Sequence, residues 1–206
     1  MINYSIPGCP VPVYQDENEL LQLCERVREL KPKHILEIGS LFGGTLWYFM
    51  QNAPGSQIIS VDTGVQSFDH RSEDIESARI NLWPEWSKQF DCELVQIRAD
   101  STDPKTVAMI AKYAPFDFIF IDGGHFYNTV FLDWTNCWPL LRSGGLLALH
   151  DIAYPDGNAD HYDVKKLWHE VRDNGIWEEI IRPENPEGVW GIGAMWKTAH
   201  MMYNEI

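Results

Sequence analysis

The stretch HILEIGSLFGGTLWYFM, residues 34–50, decides how the rest of the chain is read. A short apolar run carrying Glu37 meets a turn that holds Gly39, Gly43 and Gly44, and a second apolar run follows. Strand, glycine turn and helix start, in that order, form the front of a βα unit whose turn faces a ligand. Two cofactor classes use such a turn, and the surrounding sequence has to separate them.

Outward from this stretch the alternation continues. QIISVD is a second strand ending in Asp62, and CELVQIRAD a third ending at Asp100. Pro104 opens a helix through Lys112 with Asp103 as its cap. FDFIFID is a fourth strand, apolar enough to be buried on both faces. Tyr127 to Leu141 places Val130, Trp134, Cys137, Trp138 and Leu141 on one helical stripe, bent or ended by Pro139. Gly144 and Gly145 turn the chain into LLALHD, a fifth strand, and Val164, Leu167, Trp168 and Val171 mark a further helix closed by Gly175.

WEEIIR and VWGIGAMW are the last two strands. PENPEG between them is too short for a helical crossover, so they pair as an antiparallel hairpin. The pattern predicts an α/β fold, a doubly wound Rossmann-like sheet, mostly parallel, with one antiparallel strand in a C-terminal hairpin. Residues 1–33 read as an N-terminal arm and helix, and 34–206 as the ligand-binding domain, the whole forming one globular unit. In the arm, Pro7, Pro10 and Pro12 suggest extended chain, Asp16 with Glu19 a capping box, and Pro32 a helix stop. Segment 64–90, with Phe68, Trp83, Pro84 and Trp86, reads as irregular; it either covers a site or packs its tryptophans on the sheet.

The bulk numbers exclude several classes. A chain of 206 residues with 45% apolar content builds a core without disulfide or metal staples. Cys9, Cys24, Cys92 and Cys137 are scattered without metal-ligand spacing and read as reduced thiols, Cys24 and Cys137 facing the core. A formal charge of -14 repels phosphate backbones and anionic lipid, so no nucleic acid and no membrane is expected as a partner. No 18-residue apolar run occurs and the start lacks a signal-peptide layout, which predicts a cytoplasmic protein. The arm and segment 64–90 offer room for a homo-oligomer contact.

In a sheet of this kind ligands bind beyond the carboxyl ends of the strands. The sequence places there Glu37, Gly39, Ser40 and Gly43, then Asp62 with Thr63, Asp100 with Ser101, Asp122, and His150 with Asp151. A dinucleotide site wants G-x-G-x-x-G, so that a pyrophosphate can approach the second glycine. Two positions after Gly39 stands Leu41, whose side chain obstructs that approach. A ligand with a ribose and an amino-acid tail, such as S-adenosylmethionine (SAM), fits better. Asp62 would accept both ribose hydroxyls, Glu37 would lie near the ammonium group, and Asp100 or Ser101 near the adenine amine.

EIGSLFGGT, SVD, RADS, FIDGGHFY and LRSGGLLALHD stand in the order found in class I SAM-dependent methyltransferases, which the chain resembles from about Leu36 to Trp196. The IDGGH…Y and HD pieces are most similar to metal-dependent O-methyltransferases related to macrolide-sugar methyltransferases and to cephalosporin-biosynthesis proteins. The resemblance implies a divalent metal, Mg or Mn, on Asp122, His150 and Asp151. His150 stands where those relatives carry Glu. Magnesium prefers oxygen ligands while imidazole suits manganese and later metals, so His150 signals another metal, a supporting role or no metal.

Methyl transfer to an alcohol needs the nucleophile oriented and its proton removed. His125, three residues past Asp122, reads as that general base, with Asp122 beside it; the alternative is a histidine bracing the following helix. His161 and Tyr162 either line an acceptor pocket or sit on a surface loop, and Tyr127 reads as packing. The function expected is methyl transfer to a hydroxyl of a small molecule, a sugar or other natural product. The alternatives are a non-catalytic SAM-binding protein and an NAD(P)-dependent oxidoreductase, against which Leu41 and the final hairpin argue.

Overall fold

Parity along the strands builds the layers. In β1 (His34–Ile38), Ile35 faces one apolar cluster and Leu36 and Ile38 the other. The same alternation recurs in β2 (Gln57–Asp62), where Ile58 and Ile59 face opposite clusters, and in β4 (Phe116–Ile121), where Phe118 and Ile119 do. Successive side chains of a strand point to opposite faces, so these central strands are covered on both. The protein is described here from a computed structural model covering residues 6–64, 72–153, 163–182 and 190–199.

The sheet has seven strands in the order β3-β2-β1-β4-β5-β7-β6, with β3 at Glu93–Arg98, β5 at Leu141–His150, β6 at Ile176–Ile180 and β7 at Ile192–Trp196. All neighbours from β3 to β5 run parallel, while β7 is antiparallel to both β5 and β6. The predicted fold and its reversed strand are therefore what the chain adopts. The linking residues 183–189 lie outside the described residues, as do Phe68, His161 and Tyr162.

One face carries α1 (Glu17–Leu30), α2 (Gly44–Asn52) and α4 (Trp83–Gln89) over a core of Leu20, Leu23, Phe49, Trp83 and Phe118. The other carries α5 (Pro104–Ile110), α6 (Tyr127–Cys137) and α7 (Val164–Val171), with Val130, Cys137, Leu167 and Trp168 packed on Ile119 and Leu147. Both cysteines expected in the core are buried, and burial pushes the Cys24 thiol up to about 12.

Segment 64–90 departs from the irregular reading. It contains α3 (Ser72–Asn81) and α4, with Trp83 and Trp86 buried. Helix α3 offers few apolar positions to a periodicity count, with Ile75 and Ala78 buried in a small cluster beside Phe42. Pro84 stands in the first turn of α4, where its missing N–H costs nothing. Boundaries also shift, and β5 starts at Leu141 with Gly144 and Gly145 inside it rather than in a turn before it. Strand β3 ends at Arg98 because Asp100 folds back, its Oδ1 accepting from the N and Oγ1 of Thr102. Helix α6 ends at Cys137, and Pro139 sits in a 3-10 turn before β5.

The capping box at the start of α1 is half realised. Asp16 accepts from the N–H of Asn18 and Glu19. Glu19 does not reach back to the cap. It is fully buried and accepts instead from the N–H of Arg182 and of Gly191, each at 2.9 Å. Arg26 grips Glu178 of β6 with two bonds of 2.8 and 3.2 Å. Helix α1 is thereby fastened to the hairpin at the far end of the sequence.

Candidate active site

Register brings the expected residues to one edge. Ile38 pairs with both Val61 and Ile121, and Ile121 pairs with Leu149, so β2, β1, β4 and β5 end nearly flush. Asp62, Gly39, Asp122 and His150 follow from those ends. Asp62 and Asp122 sit on strands two apart, roughly 10 Å at the usual strand spacing, a span that suits an extended nucleoside ligand.

The glycine turn is built for the protein's own backbone. At Gly39, with φ of 83°, a Cβ would lie 2.0 Å from the carbonyl oxygen of Asp122. At Gly43 it would strike the Trp83 indole, whose Nε1 donates to the Phe42 carbonyl at 2.8 Å. Neither position admits a side chain, whatever ligand the turn holds. Leu41 is itself left-handed, with φ of 46°.

Glu37 and Asp62 brace this turn from below and from the side. Glu37 is fully buried and accepts from Ser40 Oγ and Thr45 Oγ1, both at 2.5 Å. Burial pushes its carboxyl up to about 8, although both hydroxyls pull it down. The structure thus commits both Glu37 oxygens to the turn. Asp62 Oδ2 accepts from the N–H of Ser40 and of Leu41, each at 2.9 Å, and Oδ1 from Gly64 N–H. Two bonds fill the lone pairs of Oδ2, so in this turn conformation Oδ1 retains the open acceptor position. Arg79 of α3, itself buried, stands 3.7 Å from Oδ1. No sequence signal marked Arg79, because its segment read as irregular.

Thr63, just past β2, and Asp100, past β3, are exposed, and Ser101 is half-buried. Ser101 lies beside Asp133, a residue the sequence reading passed over. Asp133 is 1% exposed, and burial raises its carboxyl to about 6 with Ser101 opposing. A lone acid inside an otherwise apolar helix stripe was its signal.

The second half of the site lies past β4 and β5. His125 Nε2 is 2.8 Å from Asp151 Oδ2 and 3.6 Å from Asp122 Oδ1. His150 Nδ1 is 3.1 Å from Asp122 Oδ1 and 3.4 Å from Asp151 Oδ1. Burial opposes charge on His125, but Asp122 and Asp151 outweigh it and raise its pKa to about 9. Burial also opposes charge on His150, and Asp151 and Asp122 again lift its pKa well above the ordinary value. Asp151, although buried, is held well below the carboxylate range by His150 and His125. It also takes a left-handed backbone with φ of 66°, a conformation that non-glycine residues adopt at a cost and that clusters at functional sites.

Donor atoms of Asp122, His125 and Asp151 lie within 4.8 Å of one another, close enough to share one metal ion. His125 takes the imidazole place in this trio, while His150 lies deeper, 3% exposed at the side chain, behind both carboxylates. Asp122 and Asp151 raise the pKa of both imidazoles, the same attraction for positive charge that would draw a divalent cation. Among the described residues Oδ1 of Asp151 is buried without a hydrogen bond. The residues present therefore fit a divalent ion, and one imidazole among oxygen donors suits manganese at least as well as magnesium. Tyr127 behaves as expected, stacked on Phe131 with Lys166 over its ring.

Strand order, glycine turn and acidic strand ends together define the class I methyltransferase architecture. The chain belongs to the methyltransferase domain family, whose profile matches residues 36–152, more than half of its length. Among solved structures it is similar to an O-methyltransferase from Bacillus cereus in complex with SAH, at 20% identity and TM-score 0.61, over 93% of this chain and 84% of that one. It is also similar to the O-methyltransferase TomG from Streptomyces achromogenes in complex with SAM, at 17% identity and TM-score 0.65, over 93% and 83%. A third is the MycE methyltransferase of mycinamycin biosynthesis with Mg, SAH and mycinamycin VI, at 19% identity and TM-score 0.53, over 86% and 48%. No curated protein sequence matches the chain.

Proposed function

We propose that this chain is a SAM-dependent O-methyltransferase acting on a hydroxyl of a small molecule, a sugar or other natural product. One observation carries the reading: an acid–histidine pocket, Asp122, His125 and Asp151, stands beside a glycine turn and the acidic end of β2 on one sheet edge. Relatives of the same fold have been crystallised with SAM, SAH and, for MycE, Mg.

SAM would lie over the turn Gly39 to Gly43, with its ribose at Asp62 and Thr63 and its adenine toward Asp100 and Ser101. Glu37 and Ser40 hold the turn in shape beneath it. Asp122 and Asp151 would hold a divalent ion, whose charge favours the alkoxide form of a hydroxyl beside it, with His125 Nε2 left off the ion. His125 is the group at this edge that can take the hydroxyl proton, at Nε2, once that atom has released its own proton. His150 keeps the two carboxylates in place from behind.

Calorimetry with S-adenosylhomocysteine and with NADH tests the cofactor, and methyl transfer from labelled SAM to a panel of alcohols and phenols tests the chemistry. The expected results are heat with the homocysteine product and none with NADH, and turnover lost on chelation and restored by manganese. His125→Ala should lower turnover about 10²–10⁴-fold with cofactor affinity unchanged, the usual scale for a general base. Heat with NADH alone would sink the reading. Full turnover after exhaustive chelation would remove the ion from it.

A further inference from the structure

A side chain of the N-terminal arm reaches Asp122. Gln15 is 4% exposed, and its Nε2 donates to Asp122 Oδ2 at 2.8 Å, across 107 residues of sequence. Asp122 Oδ1 is turned the other way, toward His150 and His125. One carboxylate is thus held at both oxygens, one by the arm and the other by the sheet.

The arm is seated firmly enough to do this. Val13 is 1% exposed and lies with Pro12 against Gly44, where an added Cβ would come within 2.8 Å of the Pro12 carbonyl. Asp16, the next residue after Gln15, caps α1. Gln15 therefore hangs between an anchored strand of chain and a helix start. Its amide also has a cost that packing alone would not incur. Among the described residues Oε1 is buried with no hydrogen-bond partner, a desolvation cost that an apolar residue of the same size avoids. Hydrogen-bonded partners of metal-binding carboxylates characteristically orient them, and removing one costs about 10–100-fold in metal affinity or activity.

We propose that Gln15 is a positioning residue of the active site, orienting Asp122 so that Oδ1 faces the pocket, and that the N-terminal arm is a working part of the site. The proposal rests on the divalent-ion reading above for its main measurement and on the Gln15–Asp122–His150 contacts for its second.

The test uses the full chain carrying Gln15→Met, which keeps the volume and removes the amide, and Gln15→Asn, which keeps an amide too short to reach. Manganese alone and S-adenosylhomocysteine alone are titrated by calorimetry, and urea unfolding reports the fold. Manganese should bind about 10–100-fold more weakly to both variants, with product affinity within twofold of wild type. Manganese affinity within twofold of wild type in a folded variant would overturn the proposal and leave Gln15 as an arm anchor. If wild type itself takes up no manganese, the ion reading fails, and Gln15 is judged by the imidazole nitrogen signals of His150. Those signals should move in Gln15→Met through the shared Asp122, and unmoved signals would overturn the proposal.

Discussion

Glu37 stores a pH dependence in one residue. Its carboxyl is raised from 4.5 to about 8 by burial. A folded-state value above the unfolded one means that the folded chain binds the extra proton, so stability falls as pH rises from about 4.5 to about 8. The stabilising share is complete below the lower value and gone above the upper. Glu37→Gln keeps the shape and an acceptor for Ser40 or Thr45 but cannot ionise. Unfolding free energies from urea at pH 5 and pH 8 should therefore differ less in Glu37→Gln than in wild type, by an amount on the order of a few kcal/mol at most. Equal slopes for the two proteins would show that Ser40 and Thr45 carry the ionised carboxylate without penalty.

The residues legible in the sequence at this scale share one property. Glu37, Asp62, Asp122, His150 and Asp151 lie in or directly after apolar runs, so strand geometry alone sends them toward the ligand edge. The sequence could place them but could not say what each touches. Glu37 was expected at an ammonium group and is occupied by two hydroxyls. His125 and His150 were assigned as base and ligand, and the fold puts His125 among the clustered donors and His150 behind them. Gln15 and Arg79 left little trace, because what gives each its surroundings lies in distant parts of the chain, whereas Asp133 stands out as a lone acid on an apolar helix stripe.

At the scale of elements, periodicity read the strands well because their cores are continuous apolar runs, and it failed where a helix buries little. Helix α3 is such a case. Helix α1 shows the opposite, a well-marked element whose tertiary role was hidden. Its Glu19 looked like a local capping partner, yet it bonds Arg182 and Gly191 more than 160 residues away. Glu19→Ala would leave two backbone N–H groups unpaired, each costing about 1–3 kcal/mol when buried. With Gly191 buried and Arg182 exposed, so that only the first bears the full cost, urea unfolding should show Glu19→Ala destabilised by roughly 1–3 kcal/mol, against a small change for the exposed Glu17→Ala on the same turn. Equal losses in the two variants would mean that the contacts of Glu19 add nothing beyond helix charge.

For the molecule as a whole, 30 acidic against 16 basic residues leave a net charge of -14 with the histidines neutral. Such an excess makes the compact state repel itself, and salt screens that repulsion. Salt also weakens attractive pairs, and Arg26–Glu178 and Arg172–Glu179 are among those that would lose. Partly exposed pairs of this kind are worth about 1 kcal/mol or less each, so the repulsion should win. The melting temperature should rise between about 0.02 M and about 0.5 M sodium chloride, by roughly 2–4 °C for each kcal/mol gained. The run is made with chelator present, which keeps adventitious divalent ions from stabilising the Asp122–Asp151 pocket by binding. A melting temperature that falls over this range would mean that local ion pairs outweigh the surplus negative charge, and the acidic surface would then carry no stability cost.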